Sequence, residues 1–345
     1  MDQGTLVESI LNQARWCEKL DSPFYQNLLL RIADNVQSSG VCWRLLQQRV
    51  AESRRSLLPL RFLAAIHRLV LGNELPQLAA YYPTVGGLPD ADAAWRTLEH
   101  ELKRCGDLVM TRLPESVQTN EVARCCALLP GFLTIARSWS MPLRLLELGC
   151  SAGLNLCWDS YRYETSSDAW GPPLSPVRFV NPFTGSDPDL SGAVQVAERA
   201  GCDLHPIDPT TADGRLALLS FIWPDQMARF RVLSAAIDLA TIIRPNTEKA
   251  NALDWLPAQL SVISSGVGTV VFHSIFMLYL SKPEQHCIAN TVREAGERAR
   301  ADAPLAWLRM EQSGQQVEVQ LTVWPNGECQ RIAVSDFHGL HTTVL

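Results

Sequence analysis

The chain has 345 residues, room for one large or two ordinary domains. A hydrophobic fraction of 47% with only 19% charged residues fits a globular protein with a substantial core and excludes a disordered chain. The formal charge of −6, with no basic run, argues against a nucleic-acid partner. No leader-like segment and no apolar run of membrane-spanning length is visible, so a cytoplasmic protein without membrane contact is expected. Its ten cysteines are scattered, Cys125 and Cys126 are adjacent, and there is no C-x-x-C. That pattern indicates buried, reduced thiols rather than a metal cluster or a disulfide framework.

Residues 1–140 read as helices. Leu6, Ile10, Ala14, Cys17 and Leu20 keep helical spacing. Asp21-Ser22-Pro23 reads as a cap with proline in the first turn, and Phe24, Leu28, Ile32 and Val36 continue on one face. An apolar helix from Leu57 to Leu71 should stop at Gly72-Asn73, and another should cover Ala91 to Cys105. Gln118-Thr119-Asn120-Glu121-Val122-Ala123-Arg124 opens the next helix, with Asn120 or Thr119 as cap. Its polar residues are either a solvated helix start or a wall of a ligand pocket that lends Asn120, Glu121 or Arg124.

The decisive stretch is Leu143-Arg144-Leu145-Leu146-Glu147-Leu148-Gly149-Cys150-Ser151-Ala152-Gly153-Leu154-Asn155-Leu156. A short apolar run, two glycines around three residues and a new apolar pattern predict strand, tight turn and helix over Leu154 to Tyr161. The turn resembles motif I of class I S-adenosylmethionine-dependent methyltransferases, with Ser151 in place of one glycine. Gly149-Cys150-Ser151-Ala152-Gly153 also fits the G-x-S-x-G nucleophile elbow of α/β-hydrolases.

Further on, Tyr161 to Glu164 and Val177 to Val180 alternate around Gly171-Pro172-Pro173 and read as an inserted hairpin, about 161–183. Gly201-Cys202-Asp203 resembles the end of a second methyltransferase strand, where a carboxylate accepts both ribose hydroxyls. Asp203 is the candidate and Asp208 the fallback, although Asp203 lies roughly 50 residues past Gly153 where dinucleotide folds place this acid about 20 residues on. Trp223-Pro224-Asp225 opens a helix to about Ile243. In the resemblance Asn251, after a third strand, would read the adenine amine, while Asp254 reads as a helix cap. Gly268 to Ser274 is a buried fourth strand, and His273 at its end is either structural or a general base. Leu305 to Arg309 gives a fifth strand. Gln316 to Trp324, the turn Pro325-Asn326-Gly327 and Gln330 to Phe337 form a terminal hairpin.

Two chemistries compete. A hydrolase would use Ser151 with His338 as base and Asp238, Asp254 or Asp302 as acid. Its elbow, however, usually follows several strands, and here everything before Gly149 looks helical. The methyltransferase-like reading is preferred. The set Gln118 to Val122, Leu148 to Leu156, Asp203 to Asp208, Trp223 to Asp225 and Val271 to Ser274 also looks like a bacterial family filed as a domain of unknown function, which typically has Gly-Asp where this chain has Ala250-Asn251. The resemblance implies an α/β fold in which an all-α region, 1–140, precedes a Rossmann-like domain, 141–345. That domain would hold a seven-strand, mostly parallel sheet with a C-terminal antiparallel hairpin. It implies S-adenosylmethionine as cofactor, held by Glu147, Gly149, Ser151, Gly153, Asn155, Asp203 and Asn251. His273 or Glu121 would take a proton from the methyl acceptor, a small molecule or another, unknown acceptor. A member that binds without catalysis is the third reading. The helical half would cap the pocket, form a homodimer contact, or both.

Overall fold

The computed structural model describes residues 2–49, 57–114, 117–118, 120–262, 264–314 and 316–345. In chain order its helices and strands are α1 (Gln3–Lys19), α2 (Pro23–Gln37), α3 (Val41–Leu46), α4 (Leu58–Leu71), α5 (Pro76–Ala79), α6 (Ala91–Thr111), α7 (Arg124–Trp139), β1 (Leu143–Leu148), β2 (Arg162–Glu164), β3 (Ala169–Trp170), β4 (Arg178–Val180), β5 (Val196–Asp203), α8 (Ala212–Ser220), α9 (Met227–Ile243), β6 (Asn246–Lys249), α10 (Ala252–Leu260), β7 (Gly268–Ser274), α11 (Lys282–Glu297), β8 (Leu305–Ser313), β9 (Gln316–Trp324), β10 (Glu328–Ser335) and β11 (Thr343–Val344). Two compact units result: Met1–Thr119 with Thr211–Ser234, and Asn120–Thr210 with Ala235–Leu345.

The first unit is helical, and short polar caps set its helix starts. Asp2 accepts the Thr5 N–H at 2.8 Å, and Asp90 accepts that of Ala93 at 3.0 Å. Ser22 occupies the cap position of α2, yet its hydroxyl donates to Asp225 at 2.6 Å. The second Asp225 oxygen accepts the Phe24 N–H at 3.0 Å, so the cap of α2 comes from a residue two hundred positions away. Trp223 is buried beside Tyr25. The Trp-Pro-Asp stretch therefore fastens this unit's core. Helix α6 continues past the expected end at Cys105, where the backbone kinks to φ −142°, because its apolar face resumes at Gly106 and Val109.

The second unit is built on β1, all six residues of which are buried. Its sheet runs β11-β10-β9-β8-β7-β1-β5-β6. Strands β6, β5, β1, β7 and β8 are mutually parallel; β9, β10 and β11 each run antiparallel to the preceding strand. Helix α7 lies on one face, where Phe132 meets Phe272 and stacks on Trp158. Helices α10 and α11 cover the other, with Leu256, Ile288 and Val292 against Leu146, Leu148 and Val271. Strand alternation then turns Glu147 toward the α7 face. Among the parallel strands, chain order reads 3-2-1-4-5, so direction reverses between β1 and β7. In open α/β sheets the crevice outside the strands' carboxyl ends at such a reversal is where ligands bind.

Three expectations need correction. The sheet has eight strands rather than seven, because the two-residue β11 pairs with β10. The insertion is a three-stranded sheet, not a hairpin: β2 pairs in parallel with β4 and antiparallel with β3. Trp170 of β3 stacks on Trp158 and takes the place beside β2 that a hairpin partner would fill. After the glycine turn, Asn155–Ser160 is a short 3₁₀ segment instead of an α-helix. Helix α8 lacks a clear amphipathic period and was not anticipated.

His67 is fully buried in the first unit. Its Nδ1–H donates to the Ser220 carbonyl at 3.1 Å, so Nε2 accepts from Thr84 Oγ1 at 2.8 Å. Burial holds its pKa down at about 4, from an ordinary 6.5. Between these values the unfolded chain takes the proton first. The stability present above pH 6.5 should therefore fall by about 3 kcal/mol as pH drops to 4. Urea denaturation against pH should show this step, and His67→Gln should lack it.

Candidate functional site

The site starts at the carboxyl end of β1. The turn that follows needs three left-handed residues: Gly149 (φ 67°), Ser151 (φ 50°) and Gly153 (φ 70°). Glycine adopts this conformation freely, whereas serine resists it by roughly 1–2 kcal/mol. Side chains from elsewhere hold Ser151 there. Asp203 Oδ2 accepts its N–H at 3.0 Å, and Asn120 Nδ2 donates to its Oγ at 2.6 Å. Asn120 Oδ1 also accepts the Ala152 N–H at 3.2 Å.

The rest of the turn is closed in the same way. The N–H groups of Gly149 and Cys150 donate to the Cys202 carbonyl at 2.9 and 3.1 Å, and that of Gly153 donates to Cys150 at 2.7 Å. Every N–H from 149 to 153 is thus used within the protein. The turn, expected as part of the cofactor site, therefore offers none of these N–H groups to a ligand. What the strand tips carry instead is carboxylate and carbonyl oxygen.

Glu147 is 3% exposed, and its Oε2 is buried without a hydrogen-bond partner. Burial raises its pKa well above the ordinary carboxyl value and Asp203 adds to the rise, while Asn155 and Arg124 pull the other way. Asn155 Oδ1 accepts from the Cys125 thiol at 3.1 Å. Asp203 ends β5, and its Oδ1 accepts the His205 N–H at 2.8 Å. Its carbonyl accepts the Ala250 N–H at 3.0 Å, which brings Asn251 to the neighbouring strand tip. Asn251 is exposed and caps α10, accepting the Leu253 N–H at 3.0 Å. The expected capping residue, Asp254, sits exposed in the first turn of that helix. Asp208, the fallback, closes its own turn onto Thr210.

One segment, 120–125, ties these tips together. Asn120 holds the turn. Arg124 donates from Nε to the Phe337 carbonyl at 3.0 Å and from Nη1 to the Ser274 carbonyl, at the end of β7, at 3.3 Å. Glu121 Oε2 lies 2.9 Å from His338 Nδ1. The His338 loop is itself shaped by Asp336, which accepts the N–H groups of residues 338, 339 and 340. Glu121 and His338, assigned above to rival chemistries, form one acid–base pair. Thr119 lies outside the described residues.

His273 is fully buried, with both ring nitrogens committed. Trp307 donates to Nε2 at 3.1 Å, so Nδ1–H donates to Glu311 at 2.6 Å. His338 pairs with Glu121 and with none of the acids proposed for a Ser151–His338 triad. Asp302 pairs with Arg300 and Ser265 at the amino-terminal ends of β7 and β8. Asp238 and Asp254 are exposed helix residues. Among the described residues, no group of three His, Cys, Asp or Glu is arranged to hold a metal, and no helix is long and apolar enough to cross a membrane.

The family described as "Uncharacterized protein conserved in bacteria (DUF2332)" matches residues 7–343. Comparison with curated proteins and with solved structures gives no match.

The state of Glu147 has a measurable consequence. Its folded pKa lies above its unfolded value, so its contribution to stability is intact below about pH 4.5 and is lost as pH rises toward the folded pKa. Glu147→Gln removes that loss. The variant should unfold at higher urea than the natural protein at pH 7, and the difference should shrink toward pH 4.5.

Proposed function

The chain belongs to that uncharacterised bacterial family, and we propose that it binds S-adenosylmethionine at the carboxyl ends of β1, β5 and β6 and transfers its methyl group. One observation carries this reading: the turn's N–H groups are all consumed, and the side chains beside it are carboxyls and amides. A phosphate needs free donors and finds none in this turn. A ligand that brings its own donors, an ammonium group and a pair of hydroxyls, meets acceptors instead.

The residues fit such a molecule. Glu147 Oε2, which has no hydrogen-bond partner among the described residues, suits an amino group. Asp203 keeps lone pairs for sugar hydroxyls beyond the two N–H groups it already accepts. Asn251, exposed one residue past the Asp203–Ala250 contact, suits the base. Bound S-adenosylmethionine supplies an electrophilic methyl on a sulfonium.

The protein's own part is orientation and proton removal. Alignment of an acceptor at near-contact distance is the larger contribution. The Glu121–His338 pair is the base: Glu121 accepts from Nδ1–H, which leaves Nε2 to receive a proton. His273, with no nitrogen to spare, acts by packing in this scheme. A serine-hydrolase reading has the left-handed Ser151 and the Glu121–His338 pair in its favour, but the Ser151 hydroxyl is held by Asn120 and the helix that should follow the elbow is absent.

Calorimetry with S-adenosylhomocysteine is expected to show saturable binding. Asp203→Asn should weaken it at least tenfold, and ATP should not compete. Failure of a folded sample to bind S-adenosylhomocysteine, or ATP binding in its place, would remove the assignment.

A further inference from the structure

On the face of the sheet opposite Glu147, a recess of about 530 Å³ opens between the start of α11 and the β8–β9 hairpin. Its walls include Lys282, Trp307, Arg309, Glu311, Glu318 and Gln320. The volume falls in the range of small-molecule sites.

Arg309 is the unusual member. Its guanidinium lies 4.1 Å from the centre of the Trp307 ring, and its Nε is buried without a hydrogen-bond partner. Among the described residues it makes one hydrogen bond, from Nη2 to the Cys329 sulfur, a weak acceptor, at 3.4 Å. Both nearby carboxylates are otherwise engaged. Glu311 Oε1 accepts from His273 and from the N–H groups of Phe276 and Met277. Glu318 pairs with Arg331 at 3.2 Å and accepts from Gln320 at 3.1 Å. Among the described residues Arg309 has no ion pair. An arginine cannot discharge itself, Glu311 acts on it without forming an ion pair, and a partly buried charge without a direct partner is costly. Desolvation by burial lowers its pKa, while Cys329 and Glu311 oppose the shift.

We propose that this recess is a second ligand site, in which Arg309 takes the anionic oxygens of a small molecule's carboxylate or phosphate. The planar guanidinium, braced on Trp307, offers the fork that such groups fit. Lys282 adds a second cation to the lining, and Met277, Leu278 and Ala289 give apolar wall for the rest of the ligand. Glu311, Glu318 and Gln320 accept any hydroxyl or amine it carries.

The test is calorimetric titration of the full chain with inorganic phosphate and, separately, with succinate, alongside Arg309→Gln. Saturable binding of at least one probe, weakened tenfold or more in the variant, is expected, and the better probe identifies the anion class. Phenylglyoxal labelling of the natural protein with peptide mapping provides a readout that does not depend on the variant folding. The bound probe should slow modification of Arg309 and leave exposed Arg293 unchanged. No saturable binding of either probe, equal binding by Arg309→Gln, or unaltered labelling of Arg309 would overturn the proposal.

Discussion

Two hydrogen bonds onto one serine organise the second unit. Ser151 adopts a backbone conformation that glycine enters freely and serine resists. Asp203 holds its N–H and Asn120 its hydroxyl, and together they offset that cost. The same contacts place the tip of β5 and the start of α7 against the end of β1. Arg124, four residues past Asn120, extends the tie to β7 and to the loop after β10. The candidate site is thus assembled by the means that make a serine tolerable in this turn.

The closed turn also bears on the proposed ligand. Glycine turns after a first strand commonly present N–H groups to phosphate. Here those groups bond inward, and the edge above β1, β5 and β6 becomes an acceptor surface. Such a surface suits a cationic, hydroxyl-bearing nucleoside better than a nucleotide. The buried, unpaired oxygen of Glu147 is consistent with a site kept for a ligand at the expense of stability, since a buried polar atom without a partner costs free energy.

Much of the fold was legible where a local rule and tertiary structure agree. The apolar run of β1, the buried strand from Gly268 to Ser274 and the alternating strand from Gln316 to Trp324 each follow a period that packing leaves intact. The kink at Cys105 hid the last turns of α6, and α8 has too weak an amphipathic period to mark it. The parallel pairing of β2 with β4 depends on β3 and the Trp158–Trp170 stack, which no short window contains. Glu147, the glycines, Asp203 and Asn251 stand out in the sequence as candidates, but their hydrogen bonds do not. Glu121 and His338 are 217 positions apart, so each was visible alone and their pairing was not. Asn251 and Asp254 are both good capping residues, and only the end of β6 decides between them. Arg309 gave no signal, because its lack of an ion pair arises from partners chosen elsewhere by Glu311 and Glu318.

A crystal structure of the protein grown with S-adenosylhomocysteine examines the central claim most directly. The account requires the ligand at the carboxyl ends of β1, β5 and β6, its amino group within reach of Glu147 and its sugar hydroxyls on Asp203, with the turn's N–H groups still bonded inward. A ligand bound anywhere else, or a turn that opens to present those N–H groups, would contradict it.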